Sequence, residues 1–345
     1  MIDETILEDI EKIKSDLKGV GFAGKKVLVT GGAGFIGSWL CDVLVNLDAK
    51  VVCLDNFSSG LSSNIEHLHE EDKFEFIKHD MSQPISFKGK IDMVFHFASR
   101  ASPLEFDKYP IEILRANTFG TWTALELALK NKARFILAST SEVYGDPDPK
   151  FIPTPETYWG NVNSIGVRSC YDEGKRAAEA FTMAYKNQFD IDARIVRIHN
   201  TYGPRMRKGD IYGRVVMRFI DQAIKGSPLT VFGDGSQTRS FTYVTDMIEG
   251  IIKIAHRPGI SGEVINLGSG KETNIIDLAK IILGLTGSDS KIEYKPLPKD
   301  DPKRRCPDIS KAYNLLNWRT EISLKEGLIK TITWMRSHKD EDDSS

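Results

Sequence analysis

The chain has 345 residues, 41% of them hydrophobic and 27% charged, with a formal net charge of −2. That length supports one large α/β domain carrying a smaller one, and the near-neutral balance excludes a global field that would gather nucleic acid or an anionic membrane. Four scattered cysteines without a C-x-x-C pair argue against a disulfide framework, and no apolar run approaches the roughly 18 residues of a membrane span, so a soluble cytoplasmic protein is expected.

Residues 1–18 set Ile6, Ile10, Ile13 and Leu17 on one face among charged residues, the period of an amphipathic helix. Segment 1–24 is read as an N-terminal helical appendage packed on the body or on a partner subunit. Val27–Thr30 then reads as a buried parallel strand. It runs into Gly31-Gly32-Ala33-Gly34-Phe35-Ile36-Gly37, and an apolar helix continues to about Leu47.

Strand, glycine loop and helix together predict a dinucleotide site. Gly31 permits the tight turn, Gly34 admits a pyrophosphate to the backbone, and Gly37 lets the helix pack close to the strand. The phosphates then sit at the first turn, around Phe35 and Ile36. A second strand, Lys50–Leu54, ends in Asp55, 18 residues beyond Gly37. A carboxylate there suits the ribose hydroxyls and repels a 2′-phosphate, and Asn56 and the residues after it bring no Arg or Lys, so NAD is expected over NADP.

Strands follow at Phe74–Lys78, Met93–Phe97, Arg134–Ser139 and Arg194–Ile198, with a helix over about Ile111–Lys130. The alternation predicts an α/β fold, a Rossmann-type doubly wound parallel sheet with a smaller C-terminal α/β lobe and ligands at the carboxyl ends of the strands. Asp80 with Met81, Ala98 and Ser139 fall at such ends and belong to the cofactor set, Asp80 suiting the adenine edge.

After the fifth strand comes Ser139-Thr140-Ser141-Glu142-Val143-Tyr144-Gly145, and the next helix opens with Tyr171-Asp172-Glu173-Gly174-Lys175. Tyr171 and Lys175, at i and i+4, share a helical face. A phenol needs its pKa lowered from about 10 to act as a base, and a lysine ammonium one turn away, with the positive nicotinamide ring, is expected to lower it. Thr140 can bond the same substrate hydroxyl, and Glu142 places a carboxylate beside the reacting centre. Farther on, arginines recur in Pro- and Gly-rich loops at Arg205, Arg207, Arg214, Arg239 and Arg305, forks suited to a diphosphate and a carboxylate. Helices are expected near Val215–Lys225, Asp246–His256 and Ile275–Leu285. His79, His96 and His199 lack carboxylate partners at ligand spacing and read as packed histidines, so no metal is assigned.

The Gly31–Gly37 fingerprint, the Ser-Thr-Ser-Glu-Val-Tyr-Gly run and Tyr171-x-x-x-Lys175 resemble the extended short-chain dehydrogenase/reductases that remodel nucleotide sugars. Residues 158–176, Asn200–Met206, Gly213–Val216, Gly235–Phe241 and the Asp301–Asp308 stretch are similar to the UDP-glucuronate decarboxylases among them, over about residues 25–335. The resemblance implies NAD as cofactor, UDP-glucuronate as substrate and a homodimer through about Ile111–Lys130 and Tyr171–Phe189. It also implies Arg214 and Arg305 on the UDP phosphates, Asn200 and Gln237 on other parts of the nucleotide, and Arg239 at the reacting sugar, with Arg100, Ser141 and Arg207 lining the substrate.

The domain division expected on that basis is 25–200 for the NAD-binding domain, with segments returning from about 235–270. Residues 201–338 are mainly a nucleotide-sugar lobe, and 339–345 an acidic, disordered tail. Three departures stand out: Ser164 where that family has Pro, Arg100 where a small residue or Pro is expected, and a longer Arg207–Gly213 loop. Rival activities are UDP-glucuronate 4-epimerase, nucleotide-sugar 4,6-dehydratase and an oxidative synthase of the 4-keto pentose. A dehydratase pairs Asp with Glu after the Ser-Thr, which this chain lacks. A noncatalytic NAD-binding regulator would be expected to lose Tyr171 or Lys175, and both are present.

Overall fold

Unbroken apolar runs such as Val27-Leu28-Val29 and Val51-Val52-Cys53-Leu54 are buried on both faces, the pattern of a sheet covered by helices on each side. The computed structural model describes residues 2–85, 87, 89–207, 215–297 and 303–338. Its main sheet comprises β1 (Lys26–Thr30), β2 (Lys50–Asp55), β3 (Phe74–Lys78), β4 (Met93–His96), β5 (Arg134–Thr140), β6 (Ala193–Ile198) and β7 (Val264–Leu267). The spatial order is β7-β6-β5-β4-β1-β2-β3 and every pairing is parallel. Chain direction across the sheet reverses between β1 and β4, and a crevice opens there at the carboxyl ends.

Helix α2 (Phe35–Asn46) packs on one face of the sheet, and α1 (Glu4–Asp16) lies against α2. Ile6, Ile10, Ile13 and Leu17 of the N-terminal segment are all buried in the same core. Buried Asp9 accepts a hydrogen bond from Tyr243 at 2.6 Å and pairs with Lys330 at 2.9 Å, which ties α1 to the C-terminal half. The other face carries α3 (Pro110–Asn117), α4 (Phe119–Asn131) and α5 (Ser169–Phe189). The single helix expected over Ile111–Lys130 is therefore two. Its break falls at Thr118, where ψ is −74°, and there the Asn117 and Thr118 side chains donate to the Ile113 and Leu114 carbonyls at 3.0 and 2.6 Å.

The second lobe holds α6 (Val215–Ile224), α8 (Ile275–Thr286) and α9 (Leu324–Ser337) with several short strands, while the intervening α7 (Val244–His256) packs against β6, β7 and α2 of the main domain and β7 returns to the main sheet. One of those strands, Thr238–Ser240, pairs in parallel with Arg304–Arg305, so that Arg239 and Arg305 stand in register.

Candidate active site

Gly31 sits at φ +71°, and a Cβ there would lie 2.7 Å from the Ala98 backbone nitrogen. At Gly37 a Cβ would come within 2.1 Å of the Gly31 carbonyl, so the strand-to-helix packing tolerates only hydrogen at that position. Gly34 caps α2 without any side-chain bond, its own N–H donating to the Gly31 carbonyl at 3.1 Å, and the first turn beyond it meets the cavity wall at Phe35, Ile36 and Gly37. Asp55 closes this end. Its carboxylate accepts from Phe57 N–H at 2.8 Å and from Ala33 N–H at 3.0 Å, linking the loop after β2 to the glycine loop. Burial raises its pKa while those backbone donors act against the rise.

The cavity encloses about 540 Å³ and runs from this loop past Asn56, Asp80, Met81, Ala98, Ser139, Thr140 and Ser141 to the second lobe. Asp80 also accepts from Ser82 N–H at 2.9 Å, a local turn. At its centre Tyr171 projects from α5 and stacks on Phe106, with ring centroids 5.3 Å apart and planes inclined by 16°. Lys175 lies one turn on, its Nζ 5.9 Å from the Tyr171 ring and donating to the Ala138 carbonyl at 2.8 Å.

The protein's own side chains do not by themselves produce the lowering expected of Lys175 with the nicotinamide ring. Burial and the neighbouring Glu142 charge push Tyr171 above its ordinary value, with the Thr140 hydroxyl opposing them. Burial also lowers Lys175 to about 8. Any activation of the phenol therefore needs charge from outside these two side chains.

Glu142 lies between two guanidiniums, bonded by Arg168 on one side and bidentately by Arg305 on the other. Burial pushes its carboxyl up, but Arg305 and Arg168 outweigh burial and hold it at about 2. Asp172, 3.6 Å from Arg168, is raised to about 7 by burial and by Glu142. Behind this cluster Ser139 donates to Glu179 at 2.5 Å, and Glu179 is held bidentately by Arg197 at 2.9 and 2.7 Å, which fixes the end of β5.

Among the expected substrate residues, Arg100, Asn200, Gln237, Arg239 and Arg305 all line the cavity. Arg100 is held by Glu105 at 2.6 Å and Gln237 donates to the Phe232 carbonyl at 2.7 Å. Buried donors without partners among the described residues, Asn200 Nδ2 and Arg305 Nε, sit in the same wall, the chemistry an anionic nucleotide would satisfy. Arg207, also expected on the substrate, is 49% exposed, faces Glu105 at 3.5 Å and is not among the described residues that form the wall. Arg214 and the 339–345 tail lie outside the described residues.

Among the wall residues that were missed are Arg168, which bonds Glu142, and Phe106, on which Tyr171 stacks. Arg168 stands three residues before Tyr171, so helical periodicity could have found it; Phe106 comes from a four-residue helix, Pro103–Phe106, with no such signal. His96 is buried, held by Thr30 at 2.9 Å, and burial lowers it to about 3. Among the described residues no group of three or more His, Cys, Asp or Glu side chains is placed to hold a metal.

Residues 27–268 match the family model described as the NAD dependent epimerase/dehydratase family. UDP-glucuronic acid decarboxylase 1 of Arabidopsis thaliana is 45% identical over 319 residues, 92% of this chain and 72% of that one. The solved epimerase Mth375 of Methanothermobacter thermautotrophicus superposes with a TM-score of 0.86 at 32% identity, covering 99% of this chain and 98% of that one. UDP-glucuronic acid 4-epimerase from Bacillus cereus, solved with UDP-glucuronic acid and NAD, gives a TM-score of 0.78 at 31% identity over 91% and 99% of the two chains.

Proposed function

The chain belongs to the NAD dependent epimerase/dehydratase family and, within it, to the UDP-glucuronate decarboxylases, and on that premise we propose a division of labour among its side chains. It is an enzyme that decarboxylates UDP-glucuronate with NAD. One observation carries the assignment of roles: Tyr171, Lys175, Thr140 and Glu142 share a single cavity with the glycine loop and Asp55.

The fit to the dinucleotide rests on the uncapped first turn of α2, on the two glycines that exclude a Cβ and on the buried Asp55 carboxylate. Gly31, Gly34 and Gly37 hold the pyrophosphate, Asp55 and Asn56 the ribose, and Asp80 and Met81 the adenine edge. Bound NAD supplies the hydride acceptor for the sugar C4 and, once CO₂ has left, the hydride donor. Tyr171 takes the 4-hydroxyl proton and later returns it, Thr140 fixes that hydroxyl, and Lys175 orients ribose and phenol from the neighbouring turn.

A ketone at C4 stands β to the carboxylate, the arrangement that releases CO₂ readily. Arg239 and Arg305, in register on adjacent strands, hold the carboxylate and the diphosphate, while Glu142 governs the proton that C5 takes up. The product is UDP-xylose. Proton NMR with UDP-glucuronate tests this: UDP-xylose without lasting absorbance at 340 nm supports it. Accumulating NADH with a 4-keto pentose makes the protein an oxidative synthase, and UDP-galacturonate makes it an epimerase.

We further infer a homodimer. Ile111, Phe119 and Trp122 on α3 and α4, with Phe181 and Phe189 on α5, are exposed apolar side chains on packed helices. Light scattering giving twice the chain mass supports it. A reducing, cytoplasmic setting suits the four unpaired, buried cysteines.

A further inference from the structure

His199 follows β6 and forms part of the cavity wall while only 2% exposed. Its ring lies 6.1 Å from that of Tyr144, and a Cβ on Gly268 would come within 2.7 Å of its own Cβ, so packing fixes the imidazole. Neither Nδ1 nor Nε2 has a hydrogen-bond partner of ordinary geometry among the described residues. The Asn266 side chain reaches the ring, but both its amide protons go to the Thr154 and Asp308 carbonyls, at 3.0 and 3.1 Å, and its oxygen takes the Tyr144 hydroxyl at 2.8 Å.

An apolar ring would fill this place without cost, whereas a buried polar group left unpaired is destabilising. Burial and the Arg305 charge lower His199 to about 3, so the imidazole is neutral, with one donor and one acceptor nitrogen. Glu142 and Arg305 line the same cavity as His199.

We propose that His199 is a positioning residue that holds, with Glu142, the water molecule from which the sugar C5 takes its proton. The inference rests on the decarboxylase reading above. In this arrangement the imidazole N–H donates to the water oxygen, one water proton goes to Glu142, and the other faces the sugar. When CO₂ leaves, the electron pair of its C–C bond stays on the C4–C5 enolate. That pair then forms the C5–H bond as the water O–H bond breaks. The hydroxide left behind is stabilised by the His199 N–H and neutralised by a solvent proton, the one proton that the overall reaction consumes.

Crystals of the wild-type protein with UDP should show a water within hydrogen-bond distance of both His199 and Glu142. In solution, His199→Phe should keep KM within about twofold while kcat falls on the order of tenfold or more, and the fraction of product escaping as 4-keto pentose should rise. His199→Gln, which keeps an N–H in the site, should recover part of both. No water at that place, or a Phe variant with wild-type kcat and product ratio, overturns the proposal. If the Phe variant does not fold, His199→Leu is measured in its place and judged by the same two results. A wild-type protein that makes no UDP-xylose overturns the decarboxylase reading instead, and the water site is still judged by the crystal.

Discussion

At the nucleotide end of the cavity the working groups are backbone atoms, whereas at the sugar end they are charged side chains. The glycine loop offers N–H groups at α2 and lets Asp55 bridge two loops through backbone donors at 2.8 and 3.0 Å. The sugar end gathers Glu142 from the turn after β5, Arg168 from the start of α5 and Arg305 from a strand 163 positions beyond Glu142. A site made of backbone is sensitive to added bulk and insensitive to most changes of chemistry. A site made of buried charges is the reverse, since removing one partner leaves the others unpaired.

The largest effect should come from Tyr171→Phe, which breaks the sugar end alone. Turnover should fall about 10³-fold, read from UDP-xylose formation, while calorimetric affinities for NAD and UDP stay within a few fold. Gly37→Ala is the opposite test. The methyl group would sit 2.1 Å from the Gly31 carbonyl, so stability should drop by about 3 kcal/mol in urea unfolding, with NAD binding lost in parallel. If that variant is stable and active, the nucleotide end is not built on backbone approach.

Glu142→Gln should lower kcat about 10²-fold with little change in KM. It also carries a pH signature. Glu142 is held at about 2 in the folded protein, below its ordinary value of 4.5. Between those values the unfolded chain binds more protons, so this stabilisation is full above pH 4.5 and is lost as pH falls toward 2. The stability gap between wild type and Glu142→Gln, followed by denaturant midpoints, should therefore narrow below pH 4.5. The smallest effect belongs to Arg207→Ala: a side chain outside the wall should change kcat/KM less than about twofold.

The nucleotide end was legible because its parts are contiguous: strand, loop and helix occupy residues 26 to 46, and each glycine has a local geometric reason. Tyr171 and Lys175 were legible for the same reason, one helical turn apart. The sugar end was only partly so. Arg305 was reachable through resemblance, but its bidentate grip on Glu142 depends on the register that sets it beside Arg239, a tertiary fact with no local pattern. Phe106 illustrates the limit, since nothing within its short helix marks it as the ring on which Tyr171 rests. The break at Thr118 was hidden because Asn and Thr are tolerated inside helices, and only their bonds to the preceding turn reveal the kink.

The Glu142–Arg305 contact also has a consequence in time. A ribosome releases the glycine loop, β5 and the Tyr171 helix long before residue 305, and domains fold as they emerge. The growing chain can therefore shape a dinucleotide pocket while its sugar end still lacks a wall. Chemistry on the substrate waits for the last strand of the second lobe to dock, so unfinished chains can hold cofactor without turning over substrate.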